Sequence, residues 1–411
     1  MKILLINKYH YFKGGAERAY FDTAKILADH GHDVAFFSMK HPNNRPSRWS
    51  KYFIKEVDYR AKNNLGEKIK AVLNIFYNFQ AKRNLEKLFL KFKPDIAHLH
   101  NIYHQLSPSI IDVLKKYKIP VVMTLHDYKL VCPNYSLYAH GKIWEKSKPD
   151  KYYKIFLDKA IKNSYLKSLI CVAEAYLHKF LRLYDKIDLF ISPSQFLIDK
   201  YKEFGFKKEI EYLPNALIED NKKNINETAE KYILYFGRLA QEKGIDVLMK
   251  AYANLNTELK LYILGGGPMK KNLEILSKKL RLMNKINFIS HKSGRDLYEI
   301  IGGAEFIVAP SLWFENAPYS IIEAMAMSKT VISSDLGGLK EIIKSGENGF
   351  LYKAGDINAL AKVMDYVIAS PELKNKIGSE AMRLVGLKNN QQNFYNKLIK
   401  IYDEAMVKNK N

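Results

Sequence analysis

Residues 2–7 (KILLIN) are a short, almost unbroken apolar run. They lead into the loop KGGAER at 13–18 and then into helical spacing that ends at Gly31, a residue suited to a helix C-cap. The pattern predicts strand, glycine loop, helix. Further apolar runs at DVAFFSM (33–39), PDIAHLHN (94–101), IPVVMTLHD (119–127) and DLFISPS (188–194) are separated mostly by helical patterns. Runs that stay apolar on both faces, spaced by helices, predict a parallel sheet covered on both sides. The rhythm restarts after EIEYLPNAL (209–217) and a polar stretch, EDNKKNINETAE (219–230), the best linker candidate. Strands are then expected at YILYFGRL (232–239), KLYILGGG (260–267), INFIS (286–290), EFIVAPSL (305–312) and TVISSD (330–335), and 357–409 reads as helical. Two α/β domains are therefore drawn, 1–214 and 215–385, with 386–411 as a C-terminal helix expected to pack back on the first.

Composition narrows the class. At 411 residues, with 47% hydrophobic, 13% aromatic and 27% charged positions, the chain is neither disordered, collagen-like nor a coiled coil. Cys132 and Cys171 are its only cysteines, too few for a disulfide framework or a four-ligand Cys/His zinc site, so a reducing compartment is expected. MKILLINKYH has no signal-peptide pattern, and no apolar run reaches the roughly 18 residues of a spanning helix. A cytoplasmic protein is expected. The 66 Lys and Arg against 43 Asp and Glu give +23 and suit an acidic partner: phosphorylated ligands, an anionic membrane or nucleic acid. Only ten of the 66 are arginines, which weakens the nucleic-acid reading, because base and phosphate readout leans on Arg. The excess sits in residues 1–214, with 38 basic and 21 acidic side chains; the remainder has 28 and 22.

Several loops stand where open parallel sheets bind ligands, beyond the carboxyl ends of strands. GGGPMKK (265–271) follows a strand and opens a helix. Its Gly265 and Gly267 suit either close backbone approach to a phosphate or a plain tight turn, and Pro268 and Met269 break the dinucleotide fingerprint. In FGRLAQEKG (236–244), Arg238 and Lys243 are either two cations on one diphosphate or a surface pair. In SLWFENAPYSIIEAMA (311–326), Glu315 falls in a loop, Pro318 suits the first helical position and Glu323 lies on the helix. Eight residues of one helix would separate the two glutamates by about 12 Å, far beyond the roughly 5 Å of a retaining hydrolase pair. A carboxylate can instead make charge-assisted hydrogen bonds to the diol of a ribose or sugar.

Taken together, Glu315 and Glu323 with Pro318 between them, FGRL…EKG, the GGGP loop and GGLKEII…GENGFL (337–351) resemble a retaining glycosyltransferase of family 4. GGAER, HLHN (98–101), TLHDYKLVCPN (124–134), ISPSQFL (191–197) and LPNAL (213–217) fit the same family, especially its capsule and cell-surface polysaccharide members. The resemblance implies the GT-B fold, two Rossmann-like α/β domains with parallel sheets facing a central cleft. It implies a UDP- or GDP-linked sugar held mainly by the second domain and a glycan or lipid-linked acceptor held by the first, without metal or other cofactor. Carried over by motif, Glu323 takes the ribose hydroxyls, Arg238 and Lys243 the diphosphate, and Glu315 the donor sugar. The amides after Gly15 and around Asn316, Ala317 and Pro318, with Gly265 and Gly267, line the donor site. His126 matches the histidine near the reacting carbon, and no Asp-x-Asp metal signature is present.

Weaker signals complete the reading. His98 and His100 are expected to point to opposite faces of a strand end, with His100 on the acceptor side of the cleft. Asp127 orients His126 or a sugar hydroxyl, or else caps a turn. Cys132 is read as a buried small side chain, and the 128–187 insertion, with eight tyrosines, as shaping the acceptor site. Between Lys62 and Lys93 apolar residues recur at near-helical spacing among eight Lys and Arg, predicting either a helix that lies on an anionic membrane or one that faces the core. Peripheral contact at the inner membrane face follows from the basic first domain and a lipid-linked acceptor. The competing readings are a nucleotide-sugar epimerase or phosphorylase on the same fold, and a non-catalytic membrane- or nucleic-acid-binding protein.

Overall fold

The computed structural model describes residues 1–57, 59, 65–218 and 230–410, so all of the expected linker except Glu230 lies outside the described residues. The chain divides into two compact units. The first comprises 1–136, 145–216 and 391–411, and the second 137–144 and 217–390.

The first unit is built on β1 (Lys2–Ile6), β2 (Asp33–Phe37), β3 (Ile96–Leu99) and β4 (Val121–Thr124). A two-stranded hairpin, β5 (Tyr138–Ala139) and β6 (Lys142–Ile143), interrupts the series and belongs to the second unit; β7 (Leu189–Ser192) and β8 (Ile210–Tyr212) complete the first sheet. All pairings in that sheet are parallel, in the order β2-β1-β3-β4-β7-β8. Ile3 and Leu5 of β1 pack in one cluster with Ile96, Val122 and Leu189, and with Leu398, Ile401, Tyr402 and Ala405 of the last helix, Gln391–Lys408. The division falls after Asn390 rather than at 386, because the preceding helix, Pro371–Lys388, runs on past that point in the second unit.

The second unit carries β9 (Tyr232–Phe236), β10 (Lys260–Leu264), β11 (Ile286–Ile289), β12 (Ala304–Ala309), β13 (Val331–Ser334) and β14 (Phe350–Tyr352) in the parallel order β11-β10-β9-β12-β13-β14. This is the doubly wound order of a Rossmann sheet. The central strand β9 shows why its sequence is apolar throughout. Ile233 and Tyr235 enter one core cluster, and Tyr232, Leu234 and Phe236 enter the cluster on the opposite face. Strand β14 arises from GENGFL, a segment that the apolar pattern did not single out as a strand, since only three residues pair.

One amphipathic segment resolves into two elements. The apolar positions from Leu65 to Phe92 form helices Leu65–Phe76 and Phe79–Phe92, broken where Asn78 turns extended and caps the second by accepting from the Ala81 N–H at 2.9 Å. The second helix buries Leu85, Leu88 and Phe92, so that half of the segment faces the core.

Candidate active site

In a doubly wound sheet the ligand crevice opens where successive connections leave in opposite directions. In the second unit that point lies between the neighbours β9 and β12, whose register pairs Leu234 with Ile307. The loops leaving these two strands carry Arg238 and Lys243 on one side and Glu315 on the other. A backbone bond from Leu312 N–H to the Glu242 carbonyl, 2.8 Å, ties them together.

Glu315 is buried. Its Oε1 accepts from Lys243 Nζ and from Ser311 Oγ, both at 2.6 Å. Burial alone would raise its pKa, but Lys243 and the Ser311 bond outweigh it and hold the carboxyl below the ordinary value, so Glu315 is ionised. Lys243 Nζ also lies 5.2 Å from the centre of the Trp313 ring. Arg238 is more exposed and pairs with Glu242, four residues on. Each cation expected to meet a diphosphate therefore carries a carboxylate partner of its own.

Pro318 stands one position earlier than expected. It is the cap of helix Tyr319–Ala326, with its carbonyl accepting from Ile321 N–H, and Tyr319 takes the first helical place. Glu323 is buried on that helix.

Gly265 and Gly267 have a local explanation. A Cβ on Gly265 would come within 1.9 Å of the Gly237 carbonyl oxygen, and one on Gly267 within 2.3 Å of that of Leu239, whereas Gly266 faces open space. These glycines let the GGGP loop lie against FGRL and so place the turn that carries Arg238. The same logic marks two residues without a proposed role in the sequence reading. A Cβ on Gly338 would sit 2.0 Å from Asn316 O, and one on Gly337 2.7 Å from Glu315 O; Gly338 N–H donates to that Glu315 carbonyl at 2.8 Å. Only glycine allows GGLKEI to lie against the backbone of Phe314, Glu315 and Asn316. The signal was present as the paired glycine, but its partner loop lies some twenty residues away in sequence.

In the first unit the corresponding switch lies between β1 and β3. Asn7 is fully buried and joins the two departing loops, its Oδ1 accepting from Asn101 N–H at 3.1 Å, while Lys8 N–H donates to Asn101 O at 2.8 Å. Sequence reasoning passed over this pair. Gly15 is the first residue of helix Gly15–Asp29, behind an extended Gly14.

His98 and His100 do not part to opposite faces. Residues two apart on a strand share a face, and here their rings stack with centroids 4.6 Å apart, both buried. His98 is fixed by Tyr402 Oη at 2.8 Å and Thr124 Oγ1 at 2.7 Å. His100 Nδ1 lies 2.9 Å from His126 Nε2, whose ring continues the stack at 5.1 Å. Desolvation, aided by Lys8, lowers the His126 pKa to about 3; burial, with His126 nearby, does the same for His98. The column is neutral at ordinary pH.

Asp127 serves the turn. Its Oδ1 accepts from Lys129 N–H at 2.9 Å and Tyr103 Oη at 3.0 Å. Cys132 is fully buried, beside Ser147 Oγ at 3.2 Å. Among the described residues, His104, Cys171 and Glu174 bring one ligand-type atom each to within 4.8 Å of one another, but Lys129 Nζ, 2.6 Å from Glu174 Oε2, already balances that carboxylate.

Comparison with known proteins agrees with this geometry. Residues 13–220 match the family model described as Glycosyltransferase Family 4, and 218–383 match Glycosyl transferases group 1. An uncharacterized 42.6 kDa protein in the cps region of Klebsiella pneumoniae is 28% identical over 374 residues, 88% of this chain and 92% of the relative. The N-acetylgalactosamine-N,N'-diacetylbacillosaminyl-diphospho-undecaprenol 4-alpha-N-acetylgalactosaminyltransferase of Campylobacter jejuni is 31% identical over 206 residues, 48% of this chain and 56% of the relative. Among solved structures, Anabaena HepE in complex with UDP and glucose superposes with a TM-score of 0.70 at 17% identity, over 98% of this chain and 99% of that one. With two Rossmann-like units of the GT-B fold, each built on a parallel sheet, and matched family models along most of its length, the chain is a glycosyltransferase and belongs to glycosyltransferase family 4.

Proposed function

We propose that the protein moves a sugar, with retention, from a UDP- or GDP-linked donor to a glycan or lipid-linked acceptor in cell-surface polysaccharide synthesis, acting from the inner face of the membrane and without a metal ion. The observation that carries this reading is the convergence of Arg238, Lys243 and ionised Glu315 at the switch point of the second sheet. The Anabaena neighbour was solved with UDP and glucose, which supports that donor class. The Campylobacter relative is named for transfer to a diphospho-undecaprenol-linked sugar, which supports a lipid-linked acceptor.

In this reading Glu323 takes the ribose hydroxyls and Glu315 the sugar hydroxyls. The bond from the anomeric carbon to the diphosphate oxygen breaks as the bond to the acceptor oxygen forms on the same face, and the departing phosphate takes the acceptor proton. Arg238 and Lys243 stabilise the charge that grows on the diphosphate, the work a divalent cation does elsewhere. By its motif, neutral His126 is assigned the role of a hydrogen-bonding group toward the reacting sugar.

Calorimetric titration with UDP and GDP in the presence of EDTA tests the donor site. One nucleotide binds, and Glu323→Ala weakens it about tenfold or more, the worth of a charge-assisted hydrogen bond. Unchanged affinity in the variant removes the ribose role. The anomeric configuration of the product, read by NMR, decides retention.

A further inference from the structure

Helix Tyr165–Phe180 of the first unit is inside out. Its inward stripe is Ser168, Cys171, Val172, Glu174 and His178, all buried, with Glu174 at 0% exposure and Val172 the one aliphatic side chain among them. Its outward positions include Leu166, Leu169 and Phe180, exposed to 67%, 50% and 83%. A surface helix in water ordinarily turns its apolar stripe to the core and its polar stripe outward.

The orientation is fixed from within. Lys129 Nζ donates to Glu174 Oε2 at 2.6 Å, a His178 ring nitrogen meets the Phe76 carbonyl at 2.9 Å, and Ser168 Oγ accepts from Ile161 N–H at 3.3 Å. Turning the leucines inward would separate Glu174 from Lys129 and strand a buried charge. The apolar face is therefore held outward by design of the polar one.

The patch extends sideways. Helix Tyr153–Leu157 packs alongside, its Tyr153 N–H donating to Tyr176 Oη at 3.3 Å and the Phe156 ring lying 5.3 Å from that of Tyr165; its own Tyr153 and Leu157 are exposed. On helix Leu65–Phe76, which touches helix Tyr165–Phe180, Ile69 and Leu73 are exposed. The rim is basic. Residues 150–182 carry seven Lys and Arg against three acids, one of which is the buried Glu174.

We propose that this face is a membrane-docking surface for an anionic bilayer, with Leu166, Leu169 and Phe180 entering the acyl boundary and the flanking lysines meeting the headgroups. Exposed leucine and aromatic side chains ringed by lysines are what an interfacial helix presents. A second copy of the chain is a poor occupant, since two molecules of net charge +23 repel. The proposal extends the membrane contact of the reading above to a named surface, and it is independent of donor chemistry.

The full-length protein is co-sedimented with vesicles of phosphatidylcholine alone and with about 30% phosphatidylglycerol, at ~0.1 M salt. Binding to the anionic vesicles is expected, and Leu166→Ser with Phe180→Ser weakens it about tenfold or more. Both positions are solvent-exposed, so the fold and the nucleotide affinity remain those of the parent, and the nucleotide titration on the same samples separates failure of this surface from failure of the donor site. No binding to anionic vesicles, binding that the double variant leaves intact, or a dimer in analytical ultracentrifugation that the double variant dissociates would each overturn the proposal.

Discussion

Lys243 Nζ and Glu315 Oε1 lie 2.6 Å apart although the residues are 72 positions apart in sequence, and Ser311 Oγ donates to the same oxygen. The lysine matched to the diphosphate and the glutamate matched to the sugar thus hold each other in place. Arg238 is paired in the same way with Glu242. Charge at this point is locally balanced, so a diphosphate bound as proposed above would compete with carboxylates for both cations.

That competition is measurable at Glu242, which pairs with the more exposed of the two cations and is not matched to any donor group. Glu242→Gln releases Arg238, and nucleotide diphosphate affinity should rise about two- to fivefold, the worth of an exposed ion pair. Calorimetry at two salt concentrations checks it; weaker binding in the variant would mean that Glu242 positions the arginine rather than restraining it.

Gly338 tests the support of the site from behind. An alanine there would place its Cβ 2.0 Å from Asn316 O, so the Glu315–Ala317 loop must shift. Gly338→Ala is expected to lower turnover about 100-fold, since displacement of a positioning loop by an ångström costs that much. Thermal melting should change far less than turnover; equal losses would make the contact one of stability alone.

The neutral histidines predict acid sensitivity. His98 and His126 have pKa values lowered to about 3, and His104 is lowered to about 3 by burial and then Lys129, against 6.5 when unfolded. Below pH 6.5 the unfolded chain takes up protons that the folded one refuses, so stability falls as pH drops from about 6.5 toward 3. Each imidazole contributes on the order of 1 kcal/mol per pH unit. Melting temperatures from pH 7 to 5 should decline steeply, and His98→Gln should flatten the slope. For the same reason His126 should produce no ionisation in the rate profile between pH 5 and 8.

The apolar runs were enough to expose two parallel α/β units, because strands buried on both faces cannot alternate; β9, with side chains in two opposed clusters, is the clearest case. The local motifs also placed Arg238, Lys243, Glu315 and Glu323 on the right loops and helix. Pairing was not legible. Lys243 with Glu315, Gly338 with Asn316, Asn7 with Asn101 and the His98–His100–His126 stack each join segments brought together by strand order or by the way a chain leaves a strand. Periodicity likewise identified amphipathic helices but could not say which stripe faces inward. In helix Tyr165–Phe180 that choice belongs to Lys129, far upstream, whose buried bond to Glu174 outweighs the preference of the leucines for the core. Sequence alone determines which residues can form an element and which chemistry they carry. The tertiary structure decides their partners, because burial and long-range hydrogen bonds depend on segments that no local window contains.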